Sequence, residues 1–76
     1  MTLNNLIPGE TAVIVSYDST VQGLRKQLLA MGLTPKTQIT ITRVAPLGDP
    51  IELKVRGFSL TIRKDQASAI IVNKIE

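Results

Sequence analysis

The chain has 76 residues, 43% of them apolar and 20% charged, with a net charge of +3 from nine basic and six acidic residues. It has neither Cys nor His, which excludes disulfides, zinc–thiolate centres and the Ser-His-Asp and Cys-His forms of nucleophilic catalysis. This length suits one domain, residues 1–76, with one small core that buries about 60% of the surface the unfolded chain exposes.

The six acids (Glu10, Asp18, Asp49, Glu52, Asp65, Glu76) are scattered, with no D-x-D or E-x-x-E spacing. A metal bound by oxygens alone would have to be assembled across the fold, and no metal or cofactor is expected. No apolar run approaches the roughly 20 residues of a membrane span. Residues 1–10 lack a basic region followed by an apolar one, so the start reads as that of a cytosolic protein. The basic residues are spread out, and the only adjacent pairs are Arg25-Lys26 and Arg63-Lys64. Two isolated pairs fit a solvated surface better than a phosphate footprint.

In chain order, Pro8-Gly9-Glu10 is a turn and Thr11 to Tyr17 (TAVIVSY) a first strand. Its unbroken apolar run, Ala12 to Val15, predicts a strand covered on both faces or one crossing a tight barrel. Ser19-Thr20 offers an N-cap for a helix from about Val21 to Met31, which Gly32 closes as the C′ residue. Val21, Leu24, Leu28 and Met31 share one helical stripe. Gly23 inside that helix weakens it by about 1 kcal/mol relative to Ala.

Leu33-Thr34-Pro35-Lys36 turns the chain into a strand at Gln38 to Val44, where Ile39 and Ile41 alternate with Thr40 and Thr42. The Pro-rich loop 45–50 leads to a strand at Ile51 to Arg56, with Ile51, Leu53 and Val55 inward. After Gly57, Phe58 to Arg63 carries Leu60 and Ile62 inward. Lys64 to Ala67 is one helical turn, and Ala69 to Ile75 the last strand. Five short strands with one early helix predict a mostly β fold, a closed or nearly closed antiparallel barrel with the helix between the first and second strands. Closure would hide edges that otherwise pair with other chains.

The pattern L-R-K-Q-L-L-A-M-G-L-T-P at residues 24–35, followed by A-P-L-G-D-P-I at 45–51 and supported by Ala67, Ile70 and Val72, resembles the ferrous iron transport protein A (FeoA) family. The resemblance spans essentially the whole chain. One departure is Lys36, where the family pattern usually has Gly after the turn proline. The resemblance implies an SH3-like barrel and partnership with the ferrous iron permease FeoB, a membrane transporter with a cytoplasmic GTP-binding domain. The implied role is to support or regulate iron uptake from the cytoplasmic side, with membrane contact only through that partner. It leaves the oligomeric state open. The same barrel also occurs as the C-terminal domain of iron-dependent repressors, but this chain has no room for their DNA-reading helix-turn-helix domain.

Three residues are candidates for partner binding: Arg25, Leu29 and Leu47. Leu29 lies roughly 100° around the helix from Leu28, away from the apolar stripe, and Arg25 precedes it by one turn. An apolar residue beside a guanidinium suits a binding hot spot; alternatively, Leu29 packs under the N-terminal segment against Leu3 or Leu6. Leu47 is either presented at the tip of a loop stiffened by Pro46 and Pro50 or folded back onto the barrel. Asp49 reads as a turn former that bonds its own backbone.

The five glycines form neither a P-loop nor a G-x-G-x-x-G motif, so no phosphate-loop GTP binding is expected. Arg25, Arg43, Arg56 and Arg63 qualify as an arginine finger for a partner GTPase by residue type alone. A nucleic-acid-binding barrel or a polyproline-binding module needs aromatic platforms, and the chain offers only Tyr17 and Phe58. A metal-responsive role would have only scattered carboxylates to use. No activated nucleophile pairing marks an enzyme.

Overall fold

Alternating apolar residues build the sheet. In the computed structural model, which describes residues 1–18 and 23–75, five strands form one antiparallel sheet: β1 (Thr11–Tyr17), β2 (Gln38–Val44), β3 (Ile51–Val55), β4 (Phe58–Ile62) and β5 (Ile70–Ile75). Their order is β4-β3-β2-β1-β5. A 3-10 turn at Leu3–Asn5 precedes β1, helix α1 (Leu24–Ala30) joins β1 to β2, and the short helix α2 (Lys64–Ala67) joins β4 to β5. The core takes Ile39 and Ile41 from β2, Ile51, Leu53 and Val55 from β3, Ile62 from β4 and Ile70 and Val72 from β5. Leu3 and Leu6 of the N-terminal segment complete it with Leu28 of α1 and Leu33.

The expected mostly β fold with its helix between β1 and β2 is present, but the sheet does not close. The outer edge of β5 is already occupied: the Val72 amide donates to the Met1 carbonyl at 2.9 Å, and Thr2 pairs with Ile71. The N-terminal residues thus stand where β4 would have to pair.

β1 also differs from a strand covered on both faces. Ala12 and Ile14 are buried and Val15 is exposed, as alternation along a strand with one covered face gives; the ladder with β5 then slips between Ile14 and Ser16, which leaves Ser16 exposed and sets Tyr17 against the core. A bulge of this kind re-aims the side chains beyond it.

Helix α1 is shorter than its apolar stripe suggests. Gly23 is its N-cap with φ of 87°, not an interior residue, so it costs the helix nothing there. The expected N-cap Ser19-Thr20 and the stripe residue Val21 lie outside the described residues.

The C-terminus of α1 ends as expected. Gly32 has φ of 86°, its amide donates to Leu29 O at 3.0 Å, and the Leu33 amide donates to Leu28 O at 3.1 Å. This is a Schellman motif, with Leu28 and Leu33, both fully buried, as its apolar clasp. At the departure from the family pattern, Lys36 itself adopts φ of 71°, a left-handed conformation that Gly takes at no steric cost. There its amide donates to Ile14 O at 2.7 Å, tying the turn to β1.

Among the described residues Thr37 is the single buried polar one, and it is satisfied locally. Its hydroxyl lies 2.7 Å from that of Thr34, and Arg56 Nη2 donates to both, at 3.3 and 3.1 Å. At the other end of β1, Glu10 pairs with Lys74 and accepts the Ile7 amide at 2.8 Å. Those two donors, Lys74 first, hold its carboxyl below the ordinary carboxylate range.

Two outcomes follow. Replacing Gly32 by Ala adds no steric clash, since nothing lies within 4 Å of the new Cβ. It does force a side chain into the left-handed region, and a loss of about 1–2 kcal/mol is expected in urea unfolding. The lowered Glu10 carboxyl stabilises the fold fully above the unfolded value of about 4.3, and this is lost as pH falls through the lower folded value. Melting temperature should therefore drop less steeply below about pH 4.3 in Glu10→Gln than in the unaltered chain.

Candidate docking surface

Helix α1 presents two unlike faces. Leu28 is fully buried, with Leu24 and Met31 packed partly against the core. Leu29, one residue on, is 38% exposed and lies outside the core cluster that contains Leu3 and Leu6. Leu3 and Leu6 fill the core themselves, whereas Leu29 keeps more than a third of its surface in water.

Arg25, on the Leu29 face, places its guanidinium carbon 5.9 Å from the centroid of the Tyr17 ring, within the range of a cation–π contact. The Tyr17 hydroxyl in turn donates to the Leu33 carbonyl, just beyond the end of α1. Burial pushes the Tyr17 phenol up, and the Arg25 charge opposes that shift. Tyr17 thus ties the last residue of β1 to the Schellman turn and seats Arg25 upon itself. Val15, Ser16, Tyr17, Arg25 and Pro35 line a shallow groove of about 260 Å³. Val15, on the outward face of β1, and Leu29 supply exposed apolar surface to this side of the molecule. Val15 and Tyr17 are the residues sequence reasoning missed here. For Val15 the signal was the unbroken run Ala12 to Val15, which pointed to burial; Tyr17 drew notice only as one of two aromatic residues.

Leu47 is 91% exposed, so it is not folded back onto the barrel. Its loop is held at both ends: the Gly48 amide donates to Ala45 O at 2.7 Å and the Ala45 amide to Pro50 O at 3.1 Å. Asp49 does not bond its own backbone as expected of a turn former. Its Oδ1 accepts the Lys64 amide at 3.0 Å, capping the first N–H of α2 across fifteen residues of chain. The grooves beside this loop are lined by Arg43, Ala45, Pro50, Glu52 and Thr61, and by Asp49, Arg63, Lys64, Asp65 and Ser68. Neither includes Arg25 or Leu29. The structure brings Arg25 and Leu29 onto one face and leaves Leu47 on its own loop.

A larger groove, about 640 Å³, runs between α1 and α2 and is lined by Gly23, Leu24, Lys26, Gln27, Ala30, Arg63, Asp65 and Gln66. Among the described residues, no three Asp or Glu side chains gather where they could hold a metal. Arg56 spends its guanidinium on Thr34 and Thr37, and Arg25 rests over Tyr17. Of the four arginines considered above, these two have intramolecular duties.

A family model for the FeoA domain matches residues 1–74. The chain belongs to the FeoA family. The Fe(2+) transport protein A/Fe(2+) transporter FeoB fusion protein of Porphyromonas gingivalis is 34% identical over 76 residues; the match covers 99% of this chain and 9% of that protein's length. The solution structure of a FeoA-like protein from Clostridium acetobutylicum has a TM-score of 0.91 at 32% identity, over 100% of this chain and 87% of its own. The zinc complex of Stenotrophomonas maltophilia FeoA, a prokaryotic SH3 domain protein, has a TM-score of 0.83 at 21% identity, covering 96% and 89% of the two chains. The open five-stranded sheet described above is therefore the SH3-like fold of FeoA proteins. No helix among the described residues is long and apolar enough to cross a membrane.

The two faces of α1 separate by mutation. Leu28→Ala should cost about 2–5 kcal/mol in urea unfolding, the range for a fully buried Leu. Leu29→Ala should cost under about 1 kcal/mol, since less of its surface leaves water on folding.

Proposed function

We propose that this FeoA chain is a non-catalytic accessory protein of ferrous iron transport that docks on the transporter FeoB from the cytoplasmic side and regulates or assembles it. The observation that carries this reading is the Porphyromonas gingivalis protein, in which a relative of this chain and FeoB are one polypeptide. Fusion turns a weak encounter into an intramolecular one, which serves two modules that must meet.

The surface supports the same reading. Arg25 and Leu29 provide a guanidinium beside an exposed apolar side chain, a pairing suited to a hot spot. Tyr17 holds Arg25 in place before any partner arrives, which lowers the ordering cost of binding. Leu47, presented on a loop pinned by two internal hydrogen bonds, is a second anchor on the same logic. Nucleic-acid binding is the weaker reading: the Tyr17 ring is already covered by Arg25, leaving Phe58 without an aromatic companion for base stacking.

The test is a binding assay between the purified chain and detergent-solubilised FeoB from the same organism. Leu29→Asp should retain the native circular dichroism spectrum and weaken binding at least about tenfold, as loss of a hot spot does. Unchanged affinity in Leu29→Asp, Arg25→Ala and Leu47→Asp alike would reject the assignment of these residues. A lack of binding by the unaltered chain would reject the docking role.

A further inference from the structure

The two outer edges of the sheet are treated differently. That of β5 is covered by Met1 and Thr2. That of β4 is not. The β3–β4 hairpin turns through Arg56 and Gly57, with φ of 50° and 84°, and closes on the pair Val55 and Phe58. In a two-residue hairpin that closing pair is hydrogen-bonded, and bonded pairs recur at every second position. Leu60 and Ile62 are therefore bonded to β3, and the N–H and C=O groups of Ser59 and Thr61 point away from it. Among the described residues, no other hydrogen bond reaches those four groups.

Exposed edges are normally blunted by a Lys, a Pro or a bulge. The β4 sequence Phe58-Ser59-Leu60-Thr61-Ile62 has no charge and no Pro, and its register with β3 is unbroken. Phe58, 47% exposed, adds apolar surface at one end. Charge surrounds this neutral strip. Four basic side chains (Lys54, Arg56, Arg63, Lys64) flank its two ends, against Glu52 paired with Thr61, Asp49 at the Lys64 amide, and Asp65.

We propose that the β4 edge is a strand-addition site that takes an extended segment of a partner protein, one with acidic residues flanking a short β-branched centre. Main-chain hydrogen bonds to Ser59 and Thr61 would give the register, and the surrounding cations the selectivity. The charge pattern selects this occupant over a second copy of the chain. Antiparallel self-pairing about Leu60 brings the Lys54 and Arg56 end of each copy toward the Arg63 and Lys64 end of the other, and like charges brought together disfavour that pairing. This site is separate from the Arg25 and Leu29 face and does not rest on the docking role assigned to it.

The probe is the peptide acetyl-Glu-Asp-Val-Thr-Val-Thr-Val-Asp-Glu-amide, titrated into the ¹⁵N-labelled full chain. Saturable amide shifts should be largest at Ser59 and Thr61, with slowed hydrogen exchange at both. The same peptide with Lys at every acidic position should bind at least about tenfold more weakly, as like-charge repulsion requires. Thr61→Pro removes one outward N–H at a position an edge strand tolerates, and should lose binding at least tenfold. If that variant is unfolded, the double variant Arg63→Glu, Lys64→Glu should show the same loss. The proposal is overturned by an absence of shifts at Ser59 and Thr61, or by equal binding of the two peptides. It is equally overturned by concentration-dependent protection of those amides without peptide, which would make a second copy the occupant.

Discussion

The clasp at the C-terminal end of α1 sets the geometry on which the rest depends. Leu28 and Leu33, six residues of chain inclusive, are both fully buried, and the Leu33 amide returns to the Leu28 carbonyl through the left-handed Gly32. This fixes the rotation of the helix about its axis. With Leu28 inward, the 100° step per residue carries Leu29 to the outside and aligns Arg25 with it. Tyr17 adds a second tie by donating to the carbonyl of Leu33. A seven-residue helix is too short to hold its own shape in water, so its placement and the composition of its outer face are consequences of this packing.

A chain without Cys or His has apolar burial as its main resource for stability, and it uses that resource on one face of each strand. The polar residues that do enter are locally satisfied, as Thr37 is by Thr34 and Arg56. What remains for function is the outside: an apolar and guanidinium patch on α1 and β1, a leucine on a pinned loop, and the open edge of β4. The N-terminal residues contribute to this division, because by covering β5 they leave β4 as the exposed edge.

Much of the fold was legible in the sequence because strand alternation is a local signal. The inward residues of β2, β3 and β4 follow directly from the period of two, and the Gly32 stop from the end of the helical stripe. The start of α1 was less legible, because Gly23 keeps the helical spacing while adopting a conformation that periodicity does not encode. Closure was misjudged for a different reason. Nothing in residues 1–2 marks them as a partner for β5, and a pairing of two residues across 69 positions has no local signature. Asp49 carries the same lesson: its composition is that of a turn residue, but its acceptor role depends on where Lys64 arrives.

The site was legible in part. The exposure of Leu29 follows from its angle to the stripe, which is fixed once the helix is recognised. The exposure of Leu47 turns on loop geometry that the sequence left open. Tyr17 under Arg25 joins the end of a strand to a helix across a segment outside the described residues, and only their spatial meeting shows it.

The central claim is that the folded chain acts through a preformed outer surface while its core stays unchanged. Amide spectra of the ¹⁵N-labelled chain, recorded with and without FeoB, test it most directly. Changes confined to the neighbourhoods of Val15, Tyr17, Arg25, Leu29 and Leu47, with the amides of Leu28, Ile41 and Leu53 unmoved, are the expected result. Changes spread through those core amides, or absent from all five surface positions, would contradict it.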